Sequence, residues 1–396
     1  MKSTLITAAL SIPLILTGCG SDSDTANNVN DACSELNDTQ FNCGDMLTDL
    51  VEKGVRPVVA ELSTSITSLD TAVDAYCEET SEANKTSAQD AWKDAVANVQ
   101  QLQPMAFGPL TDGAISPIYS WPVYNVETYD TDIVSNDSNN DFSLSGFGSR
   151  KGLLALEYIL FTADGTITSE ADSVTNWKNG KSDADIQTAR CDYAQLVSDD
   201  LVIQANTLQD EWQNFELASS ANSQQAAANT VTQAFFYADK QIKDAKVKLA
   251  LPQDSAGVFD ASKLESQYAN ISKEHLINNL EGLKRIFTAA DGVGIDDYLI
   301  AADQEDVATT MLAQIDVSIA NLEAIDGTLS EAVLEETTFT SCSTLANNGS
   351  NATDLSDIEE LCKFQHTIKQ LTDTLKGDFV LSTQFTVPAS ASGDND

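Results

Sequence analysis

"RKGLLALEYILF", residues 150–161, carries one carboxylate, Glu157, in a run that is otherwise apolar from Leu153 onward. A surface helix turns a polar face outward about every 3.6 residues, and this run has no such face. Helices that are hydrophobic all round lie in a core, so the stretch predicts a buried helix over 150–162 around which the rest of the chain is built. Glu157 must then be hydrogen-bonded, ion-paired or protonated, because an isolated buried charge is unstable by several kcal/mol. Arg150 and Lys151 lie one to two turns upstream, so an ion pair with Arg150 or a distant base, or hydrogen bonds from backbone donors, are the ways open to satisfy it, unless it is kept for a cation or polar ligand.

Helical patterning continues on both sides of this stretch. Apolar residues recur at helical spacing over 46–76, with Pro57 marking a kink or break. Thr86 and Gln89 form a capping-box pattern that predicts the start of a second helix, running to about residue 102. Residues 103–149, rich in Pro, Gly, Asn, Asp and Ser, read as a long irregular loop before the buried helix. A polar excursion at 163–182 follows, and then helical segments at 183–217, 222–249, 261–289, 295–302, 304–325, 328–336 and 354–377. Alternating β-branched runs are rare and short, so the expected fold is all-α, built of helical bundles.

At the start of the chain, Lys2 precedes an apolar stretch that ends in Leu16-Thr17-Gly18-Cys19. Leucine, small residue, glycine and cysteine in that order form a bacterial lipoprotein signal. The expectation is a signal peptide over 1–18, a lipidated Cys19, a polar tether over 19–45 and a folded body over 46–390. Acyl chains on Cys19 would anchor the protein at about 0.8 kcal/mol for each buried methylene. Gly20, in place of an aspartate, favours transport to an outer membrane, facing the periplasm or the cell surface.

Lipidation removes Cys19 from the seven cysteines and leaves Cys33, Cys43, Cys77, Cys191, Cys342 and Cys362. An even number in an exported chain reads as disulfides, and no CxxC spacing points to metal or redox chemistry. Several connectivities are open; pairing of neighbours gives Cys33–Cys43 and Cys342–Cys362 and leaves Cys77–Cys191 as a long-range staple.

The formal net charge is -40. A surface of that sign repels nucleic acid and anionic lipid and draws cations toward the protein. Asp130, Asp132, Asp137 and Asp141 form a loose acidic set, but without the glycine and terminal glutamate of an EF-hand loop. Trp121 and Tyr119, in "SWPVYN" and just before it, either line a cleft beside the buried helix or lock the loop to the bundle. No G-x-S-x-G, P-loop or dinucleotide fingerprint is present.

The order of "VRPVVAEL", "DAW", "AFGPL", "SWPVYN", "GLLALEYILF" and "CDYAQLVSDDLVIQANTLQDEW" resembles the imelysin-like family, as do "ESQYANISKEHLINNLEGLKRIF" and the closing "FTVPASASGDND". The resemblance implies an exported or lipid-anchored bacterial protein with two helical-bundle halves, here 46–217 and 218–390. It also implies a G-x-H-x-x-E motif. Founding members were described as metallopeptidases, and others are tied to iron uptake or substrate binding. The motif glycine falls on Gly152 and its glutamate on Glu157, but its histidine position is Leu154.

That departure bears directly on chemistry. A His and a Glu at i and i+3 share one helix face and can converge on a cation. Catalytic zinc commonly takes three protein ligands, and Leu154 supplies none. The chain has two other histidines, His275 and His366, neither in an H-x-x-E or H-E-x-x-H pattern, so both read as exposed or structural. The expected function is therefore a lipid-anchored binding protein of the envelope, linked to metal or iron acquisition and working with an envelope transporter or uptake partner. Its expected ligand residues are Glu157, Arg150, Tyr119 and Trp121. A metal cation is the cofactor class the resemblance implies, with no zinc site identifiable. Two alternatives stand beside it: a metal-dependent peptidase using His275, His366 and acids outside the motif, and a scaffold without a site.

Overall fold

Asn42 opens the helical body: its side-chain oxygen accepts the Gly44 N–H at 2.9 Å and caps α1, Cys43–Asp49. The computed structural model describes Cys33 and residues 41–111, 113–251, 260–335 and 360–385. Among these described residues every regular element is a helix and none is a strand, so the fold is all-α. The signal peptide, Cys19, Cys342 and the closing tail lie outside them. No helix among them is long and apolar enough to cross a membrane.

The break expected at Pro57 takes another form. A π-helical stretch, Leu50–Val55, carries the chain from α1 into α2, Arg56–Glu78, and Pro57 sits in the first turn of α2, where its missing N–H does little harm. The second long helix, α3, Glu82–Leu102, starts ahead of the Thr86 position that the sequence pattern predicts. Ser81 is the cap instead, accepting the Asn84 N–H at 3.3 Å.

Residues 103–149 are not loop throughout, because Asn125 caps a further helix, α4, Val126–Ser138. The inner face of α4 carries Asp130 and Asp132 beside Tyr129 and Ile133, so polar residues stand where periodicity expects apolar ones. The motif helix is α5, Leu153–Phe161, with every residue from Leu153 to Leu160 buried. A short helix, α6, Asp172–Lys178, occupies the polar excursion. The longest helix, α7, Asp183–Gln213, opens on a capping box between Ser182 and Asp185.

The later helices are α8, Gln224–Phe235; α9, Ser272–Phe287; α10, Ile295–Ala301; α11, Glu305–Glu323; α12, Leu329–Glu335; α13, Glu360–Thr374; and α14, Val380–Thr383. A π-helical stretch, Ala238–Val247, follows α8. The helix expected from residue 261 begins only at Ser272. Before it the chain forms a loop in which Ser266 and Asn270 take left-handed φ values of 56° and 59°.

α2 packs along both α3 and α7, and the Cys77–Cys191 disulfide fastens α2 to α7. The motif helix α5 lies against α3 and α7. α9 packs on α3 and on α11, which in turn packs on α13. Gly282 makes the α9–α3 approach possible: a Cβ there would stand 2.1 Å from the Gln101 carbonyl oxygen. Cys33–Cys43 is the second disulfide among the described residues, and both pairings match those expected from the order of the cysteines.

Candidate functional site

The motif helix is fixed at both ends before any of its side chains acts. Gly152, at φ 79°, turns the chain into α5, and a Cβ on it would lie 2.6 Å from the Ile118 carbonyl oxygen. That carbonyl accepts the Leu153 N–H at 2.8 Å, and the indole N–H of Trp92 donates to the Leu153 carbonyl at 2.8 Å. At the other end the buried Arg190 of α7 donates to the Ile159 carbonyl at 2.7 Å and the Ala163 carbonyl at 3.1 Å. A cation on these carbonyls caps the helix and complements its dipole.

Glu157 points out of this helix into the loop before α9. Its Oε1 accepts the Ser266 hydroxyl at 3.0 Å, the Tyr268 N–H at 3.1 Å and the Ala269 N–H at 3.0 Å. Burial pushes the Glu157 carboxyl above its usual range, and the Ala269 N–H, His275 and Ser266 oppose that rise. The carboxylate therefore ties the motif helix to the loop that carries the left-handed residues Ser266 and Asn270.

Arg150 is not its partner. The guanidinium pairs with Asp132 of α4, with Nε donating at 2.9 Å, and Lys151 pairs with Asp200 at 2.7 Å. The left-handed turn at Gly152 separates both bases from the face that carries Glu157. The acidic set of the sequence is likewise dispersed. Asp130 accepts the Tyr158 hydroxyl and the Thr168 and Ser169 N–H groups, Asp132 takes Arg150, and Asp137 takes Trp177 and Lys181.

The same loop carries a second buried carboxylate, Glu265, which the sequence reading did not single out. Its Oε2 lies 3.0 Å from Lys246 Nζ and 3.1 Å from His275 Nδ1, and its Oε1 accepts the Tyr119 hydroxyl at 2.6 Å and the Gln100 amide at 3.1 Å. Lys246 also donates to Gln100 at 2.7 Å, Asn279 at 2.7 Å and Gln103 at 2.8 Å. Burial alone would raise the Glu265 carboxyl, but Lys246, His275 and Tyr119 outweigh it and hold the group well below the carboxylate range. Burial lowers the Lys246 ammonium, and Glu265 opposes that shift. Tyr119 is raised well above its usual value, first by burial and then by Glu265.

His275, expected to be exposed or structural, is 1% exposed and joins this cluster, while its Nε2 is buried without a protein partner. His366 is buried on α13, where desolvation holds its imidazole below the usual range. Trp121 lies beside the cluster, with Lys246 Nζ 5.8 Å from its ring centroid. It lines a cavity of 300 Å³ together with Gln103, Tyr237 and Gln241. A larger groove, 610 Å³, runs between α2 and α3 past Glu61, Ser65 and Asn98, away from these residues.

The arrangement does not fit a motif-type metal centre. Leu154 is buried in the position of the imidazole, and three donors converge on Glu157 Oε1. Leu154 supplies no ligand, and catalytic zinc commonly takes three protein ligands. Among the described residues no group of three or more His, Cys, Asp or Glu side chains is placed to hold a metal ion. Lys246 already supplies a cation to Glu265.

Solved structures share this architecture. A protein described as a candidate iron-regulated protein A precursor from Parabacteroides distasonis superposes with a TM-score of 0.64 at 15% identity, over 87% of this chain and 95% of its own. An imelysin-like protein from Psychrobacter arcticum gives 0.61 at 14% identity, over 90% and 98%. At such identities the likeness is one of fold. No match was found among curated proteins. The family model described as Imelysin, Peptidase_M75, matches residues 55–353, which takes in the motif helix, the Glu157 clamp and the Lys246–Glu265 cluster; the chain belongs to the imelysin family.

Proposed function

We propose that the protein is a lipid-anchored binding protein of the bacterial envelope that serves metal or iron acquisition by holding a ligand and not by hydrolysing peptides. One observation carries this reading: the two buried carboxylates that meet at the loop before α9 are committed within the protein, Glu157 to that loop and Glu265 to Lys246. Neither acts as an unengaged general base, and the imidazole that would complete a metal site is Leu154. A metal-dependent peptidase needs an open position and an activated water, for which these groups supply no set of three ligands.

The iron link is supported by the Parabacteroides neighbour, described as an iron-regulated protein, and by the family. The anchor rests on the Leu16-Thr17-Gly18-Cys19 pattern, and an outer-membrane site on Gly20. An envelope transporter or uptake protein is the partner such a role requires. The test is peptide cleavage by the purified chain with and without a chelator, alongside fatty-acid labelling of the wild type and of Cys19→Ala in a bacterial host. No chelator-sensitive cleavage, together with labelling lost in Cys19→Ala, is expected. Chelator-sensitive cleavage overturns the binding role, and labelling retained in Cys19→Ala overturns the anchor.

A further inference from the structure

Lys246 fixes the chemistry of the cavity beside Trp121. An ammonium has only donors, so the side-chain oxygen of Gln103 must face Nζ, at 2.8 Å. The Tyr237 hydroxyl, at 2.6 Å, and the Asn279 amide, at 3.3 Å, donate to that same oxygen. The amide of Gln103 therefore cannot flip without setting its NH₂ against the Lys246 ammonium and the Asn279 amide N–H. Gln103 is among the residues that line the 300 Å³ cavity, and with its oxygen engaged by these donors the polar group it has left is N–H.

The rest of the wall is aromatic and aliphatic. Trp121 and Tyr237 contribute rings, Leu102 and Leu110 contribute apolar surface, Gln241 adds a second amide, and among the described residues no charged side chain lines the cavity. Its volume is at the lower end of the range for small-molecule sites, about 300–1,000 Å³. Lys246, behind the wall, is neutralised by Glu265 at 3.0 Å and so offers an anion little. The net charge of -40 further opposes an anionic guest.

We infer that this cavity binds a small, flat, uncharged molecule that lies against Trp121 and Tyr237 and presents a carbonyl oxygen to the Gln103 amide, as an aromatic amide or lactam does. The inference rests on the binding role proposed above and gives it a ligand class. Lys246 and Tyr237 are positioning residues for that contact, since they engage the Gln103 oxygen and leave its N–H for a ligand.

The test is a titration of the full-length chain with benzamide and, separately, with benzoate, followed by tryptophan fluorescence and by saturation-transfer NMR. Benzamide is expected to saturate with a dissociation constant on the order of 1 mM, as suits a fragment of that size. Gln103→Leu should weaken it about tenfold, the effect of losing one hydrogen bond. Trp121→Ala should abolish binding; should that variant fail to fold, Trp121→Leu serves the same purpose. Asn98→Ala, in the α2–α3 groove, should leave binding unchanged, and benzoate should bind more weakly than benzamide. The inference is overturned if benzamide does not saturate, if benzoate binds as tightly, or if the Gln103 and Trp121 variants bind like the wild type. Peptide cleavage is measured separately, so loss of the ligand class and loss of the binding role are distinguished.

Discussion

Glu157 on the motif helix and Ala269 in the loop before α9 are joined by a 3.0 Å hydrogen bond, with the backbone N–H donating to Oε1. Two further donors from the same loop, the Ser266 hydroxyl and the Tyr268 N–H, reach the same oxygen. A buried acceptor serving three donors is a structural clamp, and it predicts an asymmetry between two substitutions. Glu157→Gln keeps an oxygen in place and should change unfolding free energy by less than about 1 kcal/mol. Glu157→Ala leaves buried N–H groups unpaired and should destabilise by roughly 2–4 kcal/mol. Denaturant unfolding followed by circular dichroism measures both, and equal losses would contradict the clamp.

Lys246 and Glu265 are each 2% exposed, so removing either strands a charge in the core. Glu265→Gln and Lys246→Met should each destabilise by roughly 3–5 kcal/mol, and the double variant by clearly less than their sum. The pH dependence has a definite sign. The folded carboxyl is held below its unfolded value near 4.5, so its stabilisation is present above that value and is lost as pH falls through the lower folded one. Wild type should therefore lose stability in acid more steeply than Glu265→Gln, and additive losses in the double variant would rule out the coupling.

Asp296, in the first turn of α10, behaves in the opposite sense. Burial, with Asp297 adding to it, raises its carboxyl from 3.8 to about 6. Ionising it opposes folding, so the penalty is absent below the unfolded value and grows as pH rises through about 6. Asp296→Asn should raise the thermal midpoint near neutral pH and leave it almost unchanged at about pH 3.5. A midpoint gain of the same size at both pH values would disprove the assignment.

The Cys77–Cys191 disulfide closes a span of 114 residues between α2 and α7. Restricting a loop of about this length in the unfolded chain stabilises the folded state by roughly 4–5 kcal/mol in the chain-entropy model. Replacing both cysteines with serine should lower the denaturant midpoint accordingly, with the helical circular dichroism spectrum retained. An unchanged midpoint would show that the link adds nothing.

Hydrophobicity on every face over Leu153 to Leu160, broken only by Glu157, made the central helix legible, because no other environment suits such a run in a folded domain. Pairing neighbouring cysteines, one of several open connectivities, left Cys77 with Cys191, and the structure joins them. Helix α4 was hidden because Asp130 and Asp132, buried by their partnerships with Tyr158 and Arg150, break its apolar stripe. Arg150 looked like the partner of Glu157 on proximity along the chain, but Gly152 turns the backbone between them. The Glu265 cluster was the least visible feature. In "DKQIKDAKVK" Lys246 has the local chemistry of its neighbours, and the acceptors that bury it come from α3, α9 and a loop distant in sequence.

The most direct test of the account is the zinc content of the purified full-length chain after equilibration with zinc and removal of loosely bound ions, compared with that of Glu157→Gln. The geometry predicts well under one zinc per chain in both proteins, since Leu154 leaves the motif helix short of a ligand. One tightly held zinc per wild-type chain, lost in Glu157→Gln, would contradict it.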